Sequence, residues 1–560
     1  MVPSTAHTIT GIGVSRGFAV GPAVVVAPAP SYDPAEPPAT DIAAASAQVR
    51  QALQQVADGL RARADLASDQ AKAVLEADAM MAQDPSLADV IDQMLASWGP
   101  TRATHEAVEQ YAGLLESLGG YMAERVADLR DVRDRVIARL RGLPEPGVPA
   151  FEAPSILVAT DLAPADTALL DPALCLALVT TQGGPTSHTA ILAAQLGIPA
   201  VVQAAGLDVA TGTVLALDGG SGQVVVAPSP AEQDEFRARQ ARRTAALADS
   251  SAPGATKDGH RVELLANIGT LADAEAAARQ AVEGVGLFRT EFLFLDRDDA
   301  PTVAEQTEIY TGVLRAFGNR HVVIRTLDAG ADKPLAFADL GPEANPALGR
   351  RGLRLGRVRE DILDAQLEAL AAAQQATGAD LWVMAPMVGT VEETRWFTQR
   401  AKAAGIGRAG VMIEIPAAAL RSRQVLAVAD FASLGTNDLQ QYTMAADRLQ
   451  GDLATLLNPW QPAVLDVIAA ACQGASENGK PIGVCGESGG DPGLALVLTG
   501  LGVTSLSMAT SKVAAVRTVL AAHTLAQCQA MAAAARGAEG PDQARAAVLA
   551  LAEPVLGELL

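Results

Sequence analysis

The chain has 560 residues, a formal net charge of −22 at pH 7, and a composition that is 49% hydrophobic, 19% charged and only 3% aromatic. At roughly 150 residues per domain this predicts three or four domains and excludes a largely disordered chain. The acidity, with a pI near 4.7, argues against binding to nucleic acid or anionic lipid, and no apolar run reaches the roughly 18 residues of a membrane span. The opening MVPSTAHTITGIGVSRG has no basic segment leading into an apolar core, so no secretory leader is expected. Cys175, Cys472, Cys485 and Cys528 show neither CxxC spacing nor a disulfide framework. Reduced thiols in a cytoplasm are the expectation.

Taken in chain order, Thr8 to Ala27 reads as turn and strand, with glycine punctuation between β-branched residues. A proline-rich break follows. From Asp41 to Gly142 apolar residues recur at i, i+3, i+4 and i+7, as in IAAASAQVRQALQQVADGLRARADLA, which predicts an inserted helical bundle. LPEPGVPAFEAP ends it, and the β-type runs SILVATD, LALVTT, AVVQA and VVVAP predict an α/β domain completed by the opening strand. The charged stretch AEQDEFRARQARRTAALADS reads as a linker helix. The expected divisions are 1–30 plus 145–229, a helical insertion at 31–144, a linker at 230–254, and a final domain at 255–560.

That final domain carries eight short apolar runs separated by helical or loop material: VELLANI, GVGLFRTE, VVIRTLD, WVMAPMV, GVMIEIP, FASLGTND, PIGVCGE and TSLSMA. Strands alternating with helices imply a parallel sheet, and eight such units predict a (β/α)8 TIM-type barrel. The predicted fold class is therefore multidomain α/β. Polar residues gather at the C-terminal end of nearly every run: Asn267, Arg289, Arg325 with Asp328, Glu414, Asn437 with Asp438, and Cys485 with Glu487. Barrel active sites sit at that rim.

Arg289, Arg325, Arg351 and Arg448 offer planar forks for phosphate or carboxylate oxygens, although any one of them could equally serve an ordinary ion pair. Glu414 and Asp438 are hard oxygen ligands of the kind Mg2+ takes. Such a rim suits a small, multiply anionic substrate. A lone cysteine is more often inert packing, but on this rim the Cys485 thiol could donate a proton. The second informative segment is GGPTSHTAILAAQLG, residues 183–197. There His188 opens a helical run, where the helix dipole keeps an imidazole neutral and welcomes an anion. A single histidine is a structural residue more often than a nucleophile, and no partner at zinc-ligand spacing accompanies it.

These segments, in this order and over essentially the whole chain, resemble Enzyme I of the bacterial phosphotransferase system, the phosphoenolpyruvate–protein phosphotransferases. GGPTSHTAI resembles the phosphohistidine motif, with His188 at the phosphorylated position and Thr167 at a supporting one. GLFRTEFLF, IRTLDAGADKP, NPALGRRGLR, GVMIEIPAAAL, SLGTNDLQQYTMAADR and GVCGESGGD resemble successive barrel motifs. YMAERVADLRDVRDRV resembles the closing helix of the bundle that docks the phosphocarrier HPr. The resemblance implies a swivelling α/β phosphohistidine domain carrying the all-α HPr-binding bundle, and a barrel that binds phosphoenolpyruvate and forms a homodimer. It implies Mg2+ on Glu414 and Asp438, substrate held by Arg289, Arg325, Asn437, Asp438 and Arg448 with Arg351 assisting, and pyruvate released after Cys485 protonates its enolate. The chain departs from the family's usual pattern at Pro185, Ala193–Ala194, Arg350, the WQP at 460–462 and the CGESGGD motif. A related synthase or dikinase would need a nucleotide-binding domain, for which the first 150 residues offer no glycine-rich phosphate loop. A regulatory phosphoprotein with a degenerate barrel is the alternative reading.

Overall fold

The computed structural model describes residues 7–560 except 27–29, 66–68, 119–124, 144–145, 150, 152, 163–169, 185–186, 249–250, 296, 331–334, 339, 342, 449, 451–452 and 454. The chain divides into two compact units, Met1–Arg242 and Arg243–Leu560.

The first unit contains an eight-stranded mixed sheet. Its strands are β1 (His7–Thr10), β2 (Ile12–Ser15), β3 (Phe18–Val25), β4 (Ser155–Ala159), β5 (Cys175–Thr180), β6 (Ala200–Val202), β7 (Val214–Asp218) and β8 (Gln223–Val226). The sheet order is β1-β8-β7-β3-β4-β5-β6-β2. The opening segment is thus three strands rather than one. Two of them close opposite edges, β1 against β8 and β2 against β6, while β3 lies in the middle. Strands β3 and β4 are parallel neighbours, with Ala23 opposite Ile156, although a helical bundle separates them in sequence. The bundle is therefore an insertion between two adjacent strands.

Its helices are α1 (Ile42–Ala64), α2 (Asp69–Ala82), α3 (Pro85–Met94), α4 (Pro100–Leu118) and α5 (Val126–Arg141). Asp41 caps α1 by accepting from the Ala44 N–H at 3.0 Å, and α5 stops at Gly142, whose φ of 66° suits a residue without Cβ. Leu60, Leu75, Ile91, Leu95 and Val136 are buried in the bundle core. Each contributes about 1.5–3 kcal/mol of hydrophobic burial. After the sheet's helix α6 (His188–Leu196), the helix α7 (Pro230–Ala248) leads out of this unit.

The second unit is a closed barrel of eight parallel strands: β9 (Glu263–Ile268), β10 (Val285–Phe288), β11 (Val322–Arg325), β12 (Leu381–Ala385), β13 (Arg408–Ile413), β14 (Ala432–Leu434), β15 (Ile482–Val484) and β16 (Ser505–Met508). All eight predicted runs supply one strand each, and β16 closes on β9 with Ser505 opposite Glu263. Outward side chains on β9, such as Leu264 and Ala266, join the large core under the helices, while Leu287, Val323, Met384 and Met412 point into the bore with Cys485. Several surrounding helices begin with capping boxes readable in the sequence: Thr270 with Asp273, Thr302 with Glu305, and Thr390 with Glu393. Three of these helices serve the site below: α8 (Val303–Phe317), α9 (Glu360–Thr377) and α10 (Thr436–Met444).

Candidate active site

Parallel strands in a closed barrel all end at the same rim, so the residues that follow them converge. A cavity of about 370 Å³ lies there, lined by Arg289, Arg325, Arg351, Arg448, Glu414, Asn437, Asp438 and Cys485. Every barrel residue assigned a site role from the sequence therefore meets in one place. Asp328, Glu291 and Phe292 join them. A larger open groove, about 830 Å³, runs along the outer wall between Asp364 and Arg400. It gathers none of the strand-end residues and is not the reaction site.

The arginines are held differently. Arg351, buried, lies between two carboxylates. Its guanidinium donates to Asp328 at 3.1 and 3.0 Å and to Asp438 at 2.9 and 3.1 Å. Arg325, also buried, pairs with Glu291 and with Asp328 at 3.1 Å. Its Nε has no hydrogen-bond partner among the described residues. A buried charged donor without an acceptor is costly, and an anion entering the cavity would supply one. The Arg289 guanidinium makes no hydrogen bond or ion pair among the described residues, and Arg448 approaches Asp438 only at 3.8 Å from a partly exposed position. Two cations thus remain open toward the cavity while two are anchored.

Glu414 follows β13 and is buried. Its Oε1 accepts from the Met387 N–H at 2.5 Å, and Met387 has a φ of 56°, a left-handed conformation that is strained for a side-chain-bearing residue. Burial, then the neighbouring charges of Asp328 and Asp438, push the Glu414 carboxyl up to about 8, with Arg325 pulling the other way. A carboxylate crowded by like charges holds a cation or a proton readily. Among the described residues no group of three or more histidine, cysteine or acidic side chains forms a ready-made metal cage. Two carboxylates with the rest of the shell left to substrate and water is the donor set Mg2+ takes, so Glu414 and Asp438 fit that ion. Asp438 would then share its oxygens between the ion and Arg351.

Cys485 follows β15, is buried, and sends its Sγ toward the Leu434 carbonyl at 3.6 Å. Burial pushes the thiol up to about 11, offset in part by Ser433, Arg325 and Arg289. The group is a neutral thiol at physiological pH, fit to donate a proton. Its backbone is pinned across the barrel seam: Asn267 donates to the Cys485 carbonyl at 3.1 Å, and Ser507 donates to Asn267 at 2.6 Å. Asn437 accepts from the Glu487 N–H at 3.2 Å, tying the loops after β14 and β15 together.

Sequence reasoning noted Asp328 at a strand end but gave it no role, and it assigned nothing to Glu291. It also missed a buried network behind the rim. Gln366 on α9 accepts from the Leu327 N–H at 2.9 Å and donates to Thr290 at 3.2 Å and to Tyr310 on α8 at 3.0 Å. Thr290 in turn donates to the Arg325 carbonyl at 2.9 Å. A buried glutamine in the middle of an amphipathic helix was the available signal.

In the first unit His188 is the first residue of α6, and Ser187 caps that helix by accepting from the Ala190 N–H at 3.3 Å. Thr167, Pro185 and the His188 side chain lie outside the described residues.

Family comparisons agree with this architecture. Profiles described as PEP-utilising enzyme, N-terminal, mobile domain and PEP-binding domain match residues 10–125, 151–222 and 243–525. The chain is 51% identical to a phosphoenolpyruvate-protein phosphotransferase of Streptomyces coelicolor, covering 97% of this chain and 99% of that one. It is 40% identical to a Haloferax volcanii protein of the same name, covering 92% and 94%. It is also 40% identical to a multiphosphoryl transfer protein of Xanthomonas campestris, covering 97% of this chain and 67% of the relative. With three domain profiles in order and a 51% relative over almost its full length, the chain belongs to the phosphoenolpyruvate-protein phosphotransferase family of PEP-utilising enzymes.

Proposed function

We propose that this enzyme transfers the phosphoryl group of phosphoenolpyruvate to His188 and from there to a histidine of HPr, as the general first component of sugar phosphotransfer, releasing pyruvate. The convergence of Arg289, Arg325, Arg351 and Arg448 with Cys485 in one cavity carries this reading. The open donors of Arg289 and Arg325 take the phosphate, and Arg448 with Asn437 takes the remaining anionic oxygens. Glu414 and Asp438 would hold Mg2+, which when bound would supply positive charge against the phosphate oxygens. His188 attacks phosphorus in line. The P–O bond to the enol oxygen breaks as the P–N bond forms, and the enolate left behind takes the Cys485 proton at its methylene carbon. The phosphohistidine domain, supported at Thr167, then carries the group to HPr docked on the helical bundle. A homodimer through the barrel and a cytoplasmic location belong to the same reading.

The test is intact mass after incubation with Mg2+ and phosphoenolpyruvate, beside His188→Ala. The expected outcome is one acid-labile phosphate in the parent protein, absent from the variant, not produced by ATP, and discharged by HPr. No phosphate under these conditions would instead favour a regulatory phosphoprotein.

A further inference from the structure

The inner wall of a TIM barrel is normally filled by bulky branched side chains. Beneath Cys485 that filling is incomplete. Strands β10 and β15 offer Gly286 and Gly483 there, and β14 and β16 offer Ser433, Ser505 and Ser507. A Cβ on Gly286 would run into Ser507, and one on Gly483 into Ser505, so the glycines leave the serines their room. What results is a cavity of about 30 Å³ in which these hydroxyls share the lining with Leu265, Val323, Trp382, Phe431 and Val484. A water needs roughly 10–15 Å³, so about two fit. The lower end is lined by residues that precede or open the strands, of which Glu263, Ser505 and Pro481 are partly exposed and Thr504 is exposed. The cavity thus reaches the N-terminal face of the barrel, opposite the mouth. His321 and Trp382 stack beside it at 4.8 Å between ring centres.

At the upper end stands Ser433, which lines this cavity; its register partner Gly483 lies two residues before Cys485, so the Ser433 and Cys485 side chains stand on the same face of neighbouring strands. The charged groups facing that thiol are Arg325, Arg289 and Glu414. The arginines keep their protons at neutral pH, and Glu414 lines the mouth cavity and not the one beneath. Ser433 is the exchangeable hydroxyl beside Cys485 that also lines the cavity beneath.

The geometry points to a proton path through the bore of the barrel: Ser433 passes protons between Cys485 and water in the cavity beneath it, recharging the thiol from the face opposite the mouth. This rests on Cys485 donating to the enolate, as proposed above. In each turnover the S–H bond of Cys485 breaks as the pyruvate C–H bond forms. The thiolate takes the Ser433 hydroxyl proton, Ser433 takes one from the cavity water, and that water takes one from bulk solvent. In the reverse direction each bond change runs backwards.

Two exchanges measured together at equilibrium test the path. With full-length enzyme, Mg2+, phosphoenolpyruvate and pyruvate in D2O, one follows deuterium entering the pyruvate methyl group by NMR and carbon-labelled pyruvate entering phosphoenolpyruvate. Their ratio reports how often the proton on Cys485 is replaced before it returns. A merely structural defect slows both and leaves the ratio alone. Ser433→Ala, which removes the carrier, and Ser505→Val, which fills the cavity without approaching Cys485, are expected to lower the ratio about tenfold or more. Ser433→Thr, which keeps the hydroxyl, should restore it. A parent-like ratio in either of the first two variants overturns the path. Cys485→Ala separates the two readings: if it abolishes both exchanges while the other variants keep the parent ratio, the acid stands and the path falls. If it leaves both exchanges intact, the acid itself is wrong.

Discussion

At the scale of single residues, the site depends on which side chains are charged. Cys485 carries its proton because its surroundings are apolar: Leu287, Val323, Met384 and Met412 pack with it inside the barrel. Its thiol, raised from 9.0 to about 11, stays protonated through the neutral range and loses that proton only as pH climbs toward 11. A thiol held that high carries about a hundredfold less thiolate at a given pH than an ordinary one. Iodoacetamide labelling of Cys485 at pH 8, followed by peptide mass spectrometry, should therefore run about a hundredfold slower than for an unperturbed cysteine. A matching rate would show that the thiol is ionised too easily to act as the acid. Arg351, by contrast, is an anchor. Replacing it with leucine would leave Asp328 and Asp438 buried without their shared cation, at a cost of about 3–5 kcal/mol visible as a lower melting temperature.

At the scale of elements, two buried polar arrangements decide how the helices hold. Gln366 joins α9 to Thr290 and Leu327 in the loops after β10 and β11, next to Arg289 and to Arg325 at the end of β11. Gln366→Leu removes three hydrogen bonds and leaves the Leu327 N–H buried without its acceptor. The expected loss is about 1–3 kcal/mol for that orphaned group, with a raised KM for phosphoenolpyruvate because both arginines lose their support. An unchanged KM would confine the network to stability. In the bundle, Asp78 on α2 is 1% exposed, its oxygens accept no hydrogen bond among the described residues, and Arg125 stands 3.7 Å away. Burial, then Asp128, push its carboxyl from 3.8 to about 7. A carboxyl with a raised folded-state pKa favours the fold most below about pH 4, and that contribution is lost as pH rises through 7. Asp78→Asn should accordingly raise the bundle's melting temperature at about pH 8 and change it little at about pH 4. Equal changes at both values would mean that ionisation of Asp78 is not what strains the bundle.

At the scale of the whole molecule, the chain comprises two units with separate cores, Met1–Arg242 and Arg243–Leu560. Units of this size unfold as separate cooperative blocks unless tightly coupled. Calorimetry should resolve at least two transitions, and phosphoenolpyruvate with Mg2+ should raise only the barrel's, since a ligand stabilises the unit that binds it. A uniform rise of all transitions would place the binding site elsewhere.

Much of this was legible in the sequence, because it depends on local pattern. Eight apolar runs specified eight barrel strands, since a parallel strand covered on both sides must be apolar along its length. The polar residues at the ends of those runs specified the rim, since parallel strands in a barrel share one exit face. Helical periodicity likewise marked the bundle. What depended on partners distant in the chain was not legible. Nothing near Thr8 shows that the opening segment splits into strands serving both edges and the centre of one sheet. Nothing in NPALGRRGLR shows that Arg351 lies between Asp328 and Asp438, or in EDILDAQLEAL that Gln366 ties two strand ends together. The hollow beneath Cys485 arises from glycines and serines on four strands, each unremarkable alone. Composition and period determine which elements form; only closure of the barrel decides which side chains meet, because every one of those contacts joins residues far apart in sequence.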